Sequence, residues 1–567
     1  MNSLSANPLI VQSDRTVLVE VDNPRYELAR DQLSRFAELE KSPEYVHSYR
    51  ITPLSLWNAA AAGLDAGAII ASLQDLAKYP VPDNVSRDIS DYVARYGRVK
   101  LVREDSCLYL VADDLAIMSE LSHQKRLLPY LLESVSPLKL RVDPRRRGHV
   151  KQALVAMGYP VEDLAGYVQG APLPHSLRRC TLAGEALSLR PYQVDAACAF
   201  YAGGSSRGGS GVVVLPCGAG KTVVGLAVMA KTQCATLVLT TNTIAARQWM
   251  SELLDKTDLR PEDIGEYSGD CKQVRPVTIS TYQMMTYHAP QREDEPRSQE
   301  VEYPHFSLFN EQDWGLIIYD EVHLLPAPVF RITAEIQSRR RLGLTATLVR
   351  EDGRETDVFS LIGPKKYDAP WKDLERQGWI ATAECHEVRI ALDEALRLDY
   401  AIADDRDRYR VAAENPRKLE VLESLMSRHA DDSVLIIGVY LSQLSEVAQR
   451  YGLPVITGKT PLRERESLYD RFRSGALKRL IVSKVGNFAV DLPDANVAIQ
   501  ISGSFGSRQE EAQRLGRILR PKRLGTLAHF YTLVTRDTRD QDCAAKRQLF
   551  LTEQGYHYDI LYEDEVH

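Results

Sequence analysis

The sequence predicts an α/β protein in which two parallel-sheet lobes follow smaller α+β domains, and three observations carry that expectation. The string LPCGAGKT, Leu215 to Thr222, stands between an apolar β-branched run and a proline-free stretch with helical apolar spacing. A second buried-strand run, LIIY, ends in DEVH at Asp320 to His323. Far downstream, QRLGRILR, Gln513 to Arg520, spaces an amide and three guanidinium groups along one helix.

At 567 residues the chain predicts three or four domains, each large enough to bury a core. The expected boundaries are 1–95, 96–172, 173–365 and 366–567. A net charge of −7 and a pI near 6.0 give no global basic field. Any nucleic-acid affinity must come from local grooves and weaken with salt. Eight cysteines lie scattered without a CxxC pair, which suits a reducing cytosol and argues against structural zinc or a disulfide framework. No apolar run reaches membrane-spanning length, and the first residues lack a basic start followed by an apolar core. The expectation is a soluble, cytoplasmic, nucleoid-associated monomer with no membrane partner.

In chain order, VQSDRTVLVEVD reads as strand, turn, strand, and RFAELEKSPEYVHSYRITPLSLWNAAAAG as helix, loop, capped helix, with Thr52 ahead of Pro53. GRVKLVRED and CLYLVAD read as a hairpin, followed by a strand in LKLRV and a helix in VKQALVAMGY. Arg145, Arg146, Arg147, His149 and Lys151 could touch phosphates or form a solvated loop. GGSSRGGSG, Gly203 to Gly211, is a flexible loop before the next strand, and 288–304 is a polar surface insertion.

The first lobe holds the phosphate chemistry. Gly218, Ala219 and Gly220 let backbone N–H groups approach phosphates at a helix N-terminus. Lys221 would neutralise the β and γ phosphates and the Thr222 hydroxyl would ligate Mg²⁺, although Leu215 stands where the full motif has its first glycine. ATP is therefore the expected cofactor. Asp320 would hold the Mg²⁺ through a water, Glu321 would orient and deprotonate the attacking water, and His323 would couple that site to whatever the protein grips. Arg190 and Gln193 would read the adenine edge. Thr241, Gln248 and Thr281 suit phosphate oxygens of a nucleic acid, strand-end capping being the alternative. Thr345 and Thr347 follow a further strand and are expected to contact DNA.

The second lobe begins with the buried run VLIIGVYL. Gln513, Arg514 and Arg517 share a helix face that Arg520 extends by a turn, and Arg517 and Arg520 would act as arginine fingers. A solvated basic face is the bland alternative. With the lysine on one lobe and the arginines on the other, nucleotide would close the cleft and hydrolysis would open it.

The set DEVH, TATLVRED and QRLGR resembles superfamily 2 helicases of the XPB family, and the resemblance runs on through Glu384 to Leu422. It implies RecA-like lobes, an XPB-type accessory domain, a damage-recognition-like DNA-binding domain and a DNA-gripping thumb near 385–415. It also implies strand separation by Arg350, Glu351 and Asp352 and nucleotide contact at Asp491. The implied partner is forked DNA, or duplex with a 3′ single strand, unwound with 3′ to 5′ polarity in nucleotide excision repair, with a nuclease or repair protein alongside. An ATP-gated duplex-binding scaffold and an RNA helicase are the competing readings. Two short matches serve as decoys: Arg103, Glu104 and Asp105 repeat the triplet, and Asp564 to His567 repeats DEVH in what reads as a solvated acidic tail.

Overall fold

A computed structural model describes residues 7–105, 107–216, 218–269, 271–287, 303–337, 339–348, 355–483, 495–503, 514–515 and 527–566. The first unit is an antiparallel sheet, β1 (Leu9–Val11), β2 (Thr16–Glu20), β3 (Glu38–Lys41) and β4 (Val46–Arg50), in the order β1-β2-β4-β3. The helix Pro53–Ala61 starts as its sequence predicts: Thr52 accepts from Ser55 N, and the Ser55 side chain accepts from Thr52 N. The charged stretch that reads as helix and loop is instead β3 and β4. Leu39, His47 and Tyr49 are buried in alternation, so a two-residue period outweighs the helix preference of the glutamates.

The second unit is β5 (Val99–Glu104), β6 (Cys107–Ala112), β7 (Leu131–Ser136), β8 (Lys139–Val142) and β9 (Val161–Asp163), ordered β7-β8-β6-β5-β9. Its expected hairpin is present, and the decoy triplet sits at the tip, where Asp105 takes a left-handed φ of 52°. The basic stretch divides. Arg145 and Arg146 are exposed, whereas Arg147 and Lys151 are buried and paired to Asp163 at 2.6 and 3.1 Å. Their helix, Arg147–Ala156, docks on the first lobe. Lys151 donates to Gln337 at 2.8 Å and Gln152 to Asp357 at 2.9 Å. A Cβ on Gly148 would meet Ala334 O at 2.4 Å, so only glycine allows this approach.

The two lobes are the expected parallel sheets. Lobe 1 contains β10 (Ser210–Val214), β11 (Thr236–Thr240), β12 (Ile264–Tyr267), β13 (Val277–Thr281), β14 (Leu316–Asp320), β15 (Arg340–Thr345) and β16 (Lys365–Asp368), ordered β12-β13-β11-β14-β15-β10-β16. Lobe 2 contains β17 (Ala383–Ile390), β18 (Val434–Gly438), β19 (Val455–Ile456), β20 (Arg479–Ser483), β21 (Val497–Gln500), β22 (Ala528–Thr535) and β23 (Tyr558–Tyr562), ordered β19-β20-β18-β21-β22-β17-β23. Every strand pair in both is parallel, and the central strands are buried on both faces, which is why their sequences read as unbroken apolar runs.

Two boundaries and the reading of the terminal segment differ from expectation. β16 pairs with β10, so lobe 1 extends to Asp368. Residues 385–390 belong to β17, and the helices Arg397–Ile402 and Asp405–Ala413 follow it. The terminal acidic segment is docked: β23 pairs with β17, Glu563 meets Arg417 at 3.1 Å, and Val566 is buried in the lobe 2 core. The aromatic and apolar residues of β23 anchor acids that read as a free tail.

The first unit touches both lobes. Asn58 accepts from Lys365 N in lobe 1 at 3.1 Å, while Leu549 from the lobe 2 helix Arg539–Glu553 is buried in the first unit's own core. A cavity of about 430 Å³ lies where the three bodies meet, lined by Arg30, Glu38, Lys365, Lys372 and Glu553 among others.

Candidate active site

The phosphate loop leaves the carboxyl end of β10, the edge at which open parallel sheets bind ligands. Leu215 is fully buried and donates its N–H to Thr345 O at 3.0 Å, so the position of the missing motif glycine belongs to the core. Gly218 and Gly220 have φ of 81° and 82°, and Gly220 caps the helix Lys221–Thr232. A Cβ on Gly220 would lie 2.6 Å from Gln193 Nε2. These glycines form the narrow backbone cradle that a triphosphate requires. Two donors hold it from beneath: Tyr192 Oη and Gln193 Nε2 both reach Ala219 O, at 2.7 and 2.9 Å.

Arg190 and Gln193, expected at the adenine edge, are engaged here with the protein itself. Gln193 is buried and uses both ends, its Oε1 accepting from Arg190 N at 3.0 Å. Arg190 stacks over Trp379 at 5.0 Å and donates to Trp379 O at 3.2 Å. Both residues buttress the loop from behind.

β14 delivers Asp320 and Glu321 to the same edge, with β15 between it and β10. Lys221 Nζ lies 2.6 Å from Glu321 Oε1. Glu321 has a left-handed backbone, φ 51° and ψ 55°, a strained conformation for a residue with a side chain. Burial pushes its carboxyl upward, but Lys221 and then His323 outweigh that and hold it below its ordinary range. Its second oxygen is buried without a hydrogen-bond partner, a suitable acceptor for a water. Asp320 is pushed up to about 6, by burial first and by Glu321 second. Its Oδ2 accepts from the Trp249 indole N–H at 2.9 Å, and Tyr282 Oη donates to its carbonyl at 2.8 Å. The cradle, Lys221, Thr222 and the paired acids fit a triphosphate with its Mg²⁺.

From Glu321 a polar path runs inward. His323 Nδ1 is 3.4 Å from Glu321 Oε2 and 2.7 Å from Thr345 Oγ1. The Thr345 hydroxyl donates to Thr347 O at 2.5 Å and accepts from Thr347 N at 3.1 Å, which makes His323 Nδ1 a donor. Thr345 and Thr347 are buried, so the expectation that they touch DNA directly is corrected: depth gives them an internal role. Thr281 caps the helix Tyr282–Met285 by accepting from Met284 N at 3.1 Å, which favours capping over a DNA contact. Thr241 accepts from Asn242 Nδ2 at 3.1 Å, and Gln248 is exposed on the helix Thr243–Lys256.

Arg514 is also corrected. Its guanidinium is fully buried and bonds Gln500 at the end of β21, so it braces lobe 2 and presents no surface to a nucleotide. Arg350, Glu351, Asp352, Asp491, Gln513, Arg517 and Arg520 lie outside the described residues. Sequence reading missed Tyr192, Trp249 and Tyr282, each of which gives a buried polar tip to the site. A Trp on the inner face of an amphipathic helix, whose N–H must find an acceptor, was the available signal.

Three family models match: the ERCC3/RAD25/XPB C-terminal helicase over residues 374–566, the type III restriction enzyme res subunit over 186–350, and a helicase conserved C-terminal domain over 9–136. The chain is 53% identical over 564 residues to the DNA 3′-5′ helicase XPB of Kineococcus radiotolerans, covering 99% of this chain and 98% of that one. It is 54% identical to the protein of the same name from Mycobacterium tuberculosis, covering 99% of each. It is 36% identical to the putative DNA 3′-5′ helicase Rad25 of Halobacterium salinarum, over 96% and 85%. Identity that persists from the accessory units through both lobes accounts for the whole architecture, and the chain belongs to the XPB family of superfamily 2 helicases.

Proposed function

We propose that this enzyme is an ATP-driven 3′ to 5′ DNA helicase or translocase that opens duplex during DNA repair, acting in the cytoplasm on nucleoid DNA as a monomer beside a nuclease or repair partner. Membership of a family whose relatives are named DNA 3′-5′ helicases supports the polarity and the substrate. The observation that carries the coupling is the polar path Lys221, Glu321, His323, Thr345 and Thr347, which leads away from the phosphate loop and ends three positions before Arg350 in the sequence.

Bound Mg-ATP supplies a cleavable phosphoanhydride whose developing negative charge needs neutralising. Lys221 moves from Glu321 to the phosphates, and Thr222 with Asp320 would hold the metal. Glu321, freed of its ammonium, accepts a proton from the attacking water through its unpartnered oxygen. His323 then feels the change in charge on Glu321 and passes it to Thr345 as an altered hydrogen bond. Arg517 and Arg520 supply the opposing charge from lobe 2, so hydrolysis depends on closure.

Strand displacement on forked duplex, with Arg350→Ala beside the parent protein, tests this reading. DNA-stimulated hydrolysis that survives while displacement is lost marks a helicase. Stimulation by single-stranded RNA tenfold above that by DNA overturns the substrate assignment.

A further inference from the structure

Lobe 2 holds a side-chain cluster that nucleotide chemistry does not use. The β17–β22 register sets Glu384 opposite His529 and His386 opposite Tyr531, and β23 sets Asp559 opposite His386. Glu384 and His386 are two residues apart on one strand and so share a face. One ligand atom from each of Glu384, His386 and His529 lies within 4.8 Å of the other two. Glu384 Oε2 stands 3.5 Å from His529 Nδ1 and 3.8 Å from His386 Nε2. Donor atoms around a tetrahedral zinc, at about 2.0–2.1 Å from the metal, stand roughly 3.4 Å apart.

The neighbouring histidine provides the contrast. His429 has both nitrogens in use, Nδ1 with Asp432 at 2.9 Å and Nε2 with Tyr531 at 3.0 Å. His386 buries both ring nitrogens without a hydrogen-bond partner, and His529 buries Nδ1 in the same way. Two orphaned imidazole nitrogens beside one carboxylate oxygen, with a third on the far side of His386, are an unexplained cost in a native fold. With Nε2 of His386 facing Glu384, its Nδ1 faces Asp559 Oδ2 at 3.8 Å, so a carboxylate stands on the side from which metal-bound imidazoles are oriented, about 1 Å short of a hydrogen bond.

We propose that Glu384, His386 and His529 form a binding site for a divalent transition-metal ion of the zinc type. Two imidazoles and one carboxylate select zinc, cobalt or nickel over the hard ions magnesium and calcium. The half-exposed side of Glu384 leaves the fourth position to solvent. The ion ties β17, where the chain enters lobe 2, to β22, and through Asp559 it reaches β23. The site stands apart from the phosphate loop and does not rest on the helicase reading.

The test is a Co²⁺ titration of the full chain carrying no histidine tag, followed by visible absorption and by competition with Zn²⁺. The expected result is a tetrahedral Co²⁺ spectrum at one equivalent, bleached by Zn²⁺, with a melting temperature that rises with added Zn²⁺. His386→Gln combined with His529→Gln should abolish the spectrum, and Asp559→Asn should weaken binding about 10- to 100-fold. Absence of the spectrum, or its persistence in the double variant, overturns the site. Should the double variant fail to fold, Glu384→Gln at the exposed ligand decides alone: affinity unchanged within twofold overturns the proposal. Basal ATP hydrolysis, which needs Lys221 and not this cluster, reports separately on the helicase reading.

Discussion

The ammonium of Lys221 rests 2.6 Å from the carboxylate of Glu321, the first carried by the helix that follows the phosphate loop and the second by the turn after β14. Each therefore controls the other's charge before any phosphate arrives. Lys221→Ala should abolish hydrolysis and also lower stability by about 1–3 kcal/mol, because it leaves a buried carboxylate unsatisfied. Glu321→Gln keeps an acceptor for Lys221 and should retain ATP while turnover falls about 10²- to 10⁴-fold. Steady-state hydrolysis, nucleotide retention and thermal melts of the two variants check the pair. Parental turnover in Glu321→Gln removes it as the base.

The His323–Thr345 contact should matter more for coupling than for chemistry. Thr345→Val removes the acceptor for His323 Nδ1 and the donor to Thr347 O at nearly constant volume. Basal hydrolysis is expected within a few-fold of the parent, while the ratio of DNA-stimulated to basal rate collapses toward unity. A preserved ratio would show that the path carries no signal.

Arg517→Ala should reduce hydrolysis by about 10³- to 10⁵-fold, the range for supplied arginine fingers, with ATP affinity changed far less. Single-turnover measurements separate the two effects. Unchanged chemistry would place Arg517 outside the hydrolytic centre.

Lys151 gives the docked helix of the second unit a pH signature. Burial lowers its pKa from 10.5 to about 7, with Asp163 pulling the other way. Between pH 7 and about 10.5 the unfolded chain therefore binds more protons than the folded one, and this group's contribution to stability rises with pH. Below pH 7 both states are protonated and the contribution is flat. Melting temperatures of Lys151→Met should lose that slope. An unchanged slope would place the titration elsewhere.

Gly148 tests the same joint by shape. Its replacement by alanine forces a Cβ to within 2.4 Å of Ala334 O, and the interface should loosen by about 1–3 kcal/mol. Limited proteolysis should then release the second unit from lobe 1 faster than in the parent. Equal rates would mean that the backbones part without loss.

The parallel lobes were legible because strands such as LIIY and VLIIG are buried on both faces, and the phosphate loop because Lys221 and Thr222 follow such a strand directly. What escaped was depth and register. A threonine after a strand reads the same whether it faces solvent or, like Thr345, the core. Glu38 to Lys41 carries only one buried residue, Leu39, so its strand emerges only from pairing with β4. Arg514 reads as a ligand-facing cation until Gln500 is seen beside it. The i, i+2 pair Glu384 and His386 meets His529 only through strand pairing, so the third member of that cluster could not be read from spacing.

The first unit lends its core to Leu549 of lobe 2 while its Asn58 holds the backbone of lobe 1. A body fastened at both ends cannot stay still when its anchors swing. On the proposed closing cycle the Asn58 tether stretches or the Leu549 seat shears, and the weaker fastening yields first. The accessory unit would then set a threshold on the stroke, so shortening it from the amino terminus should change the tempo of the cycle.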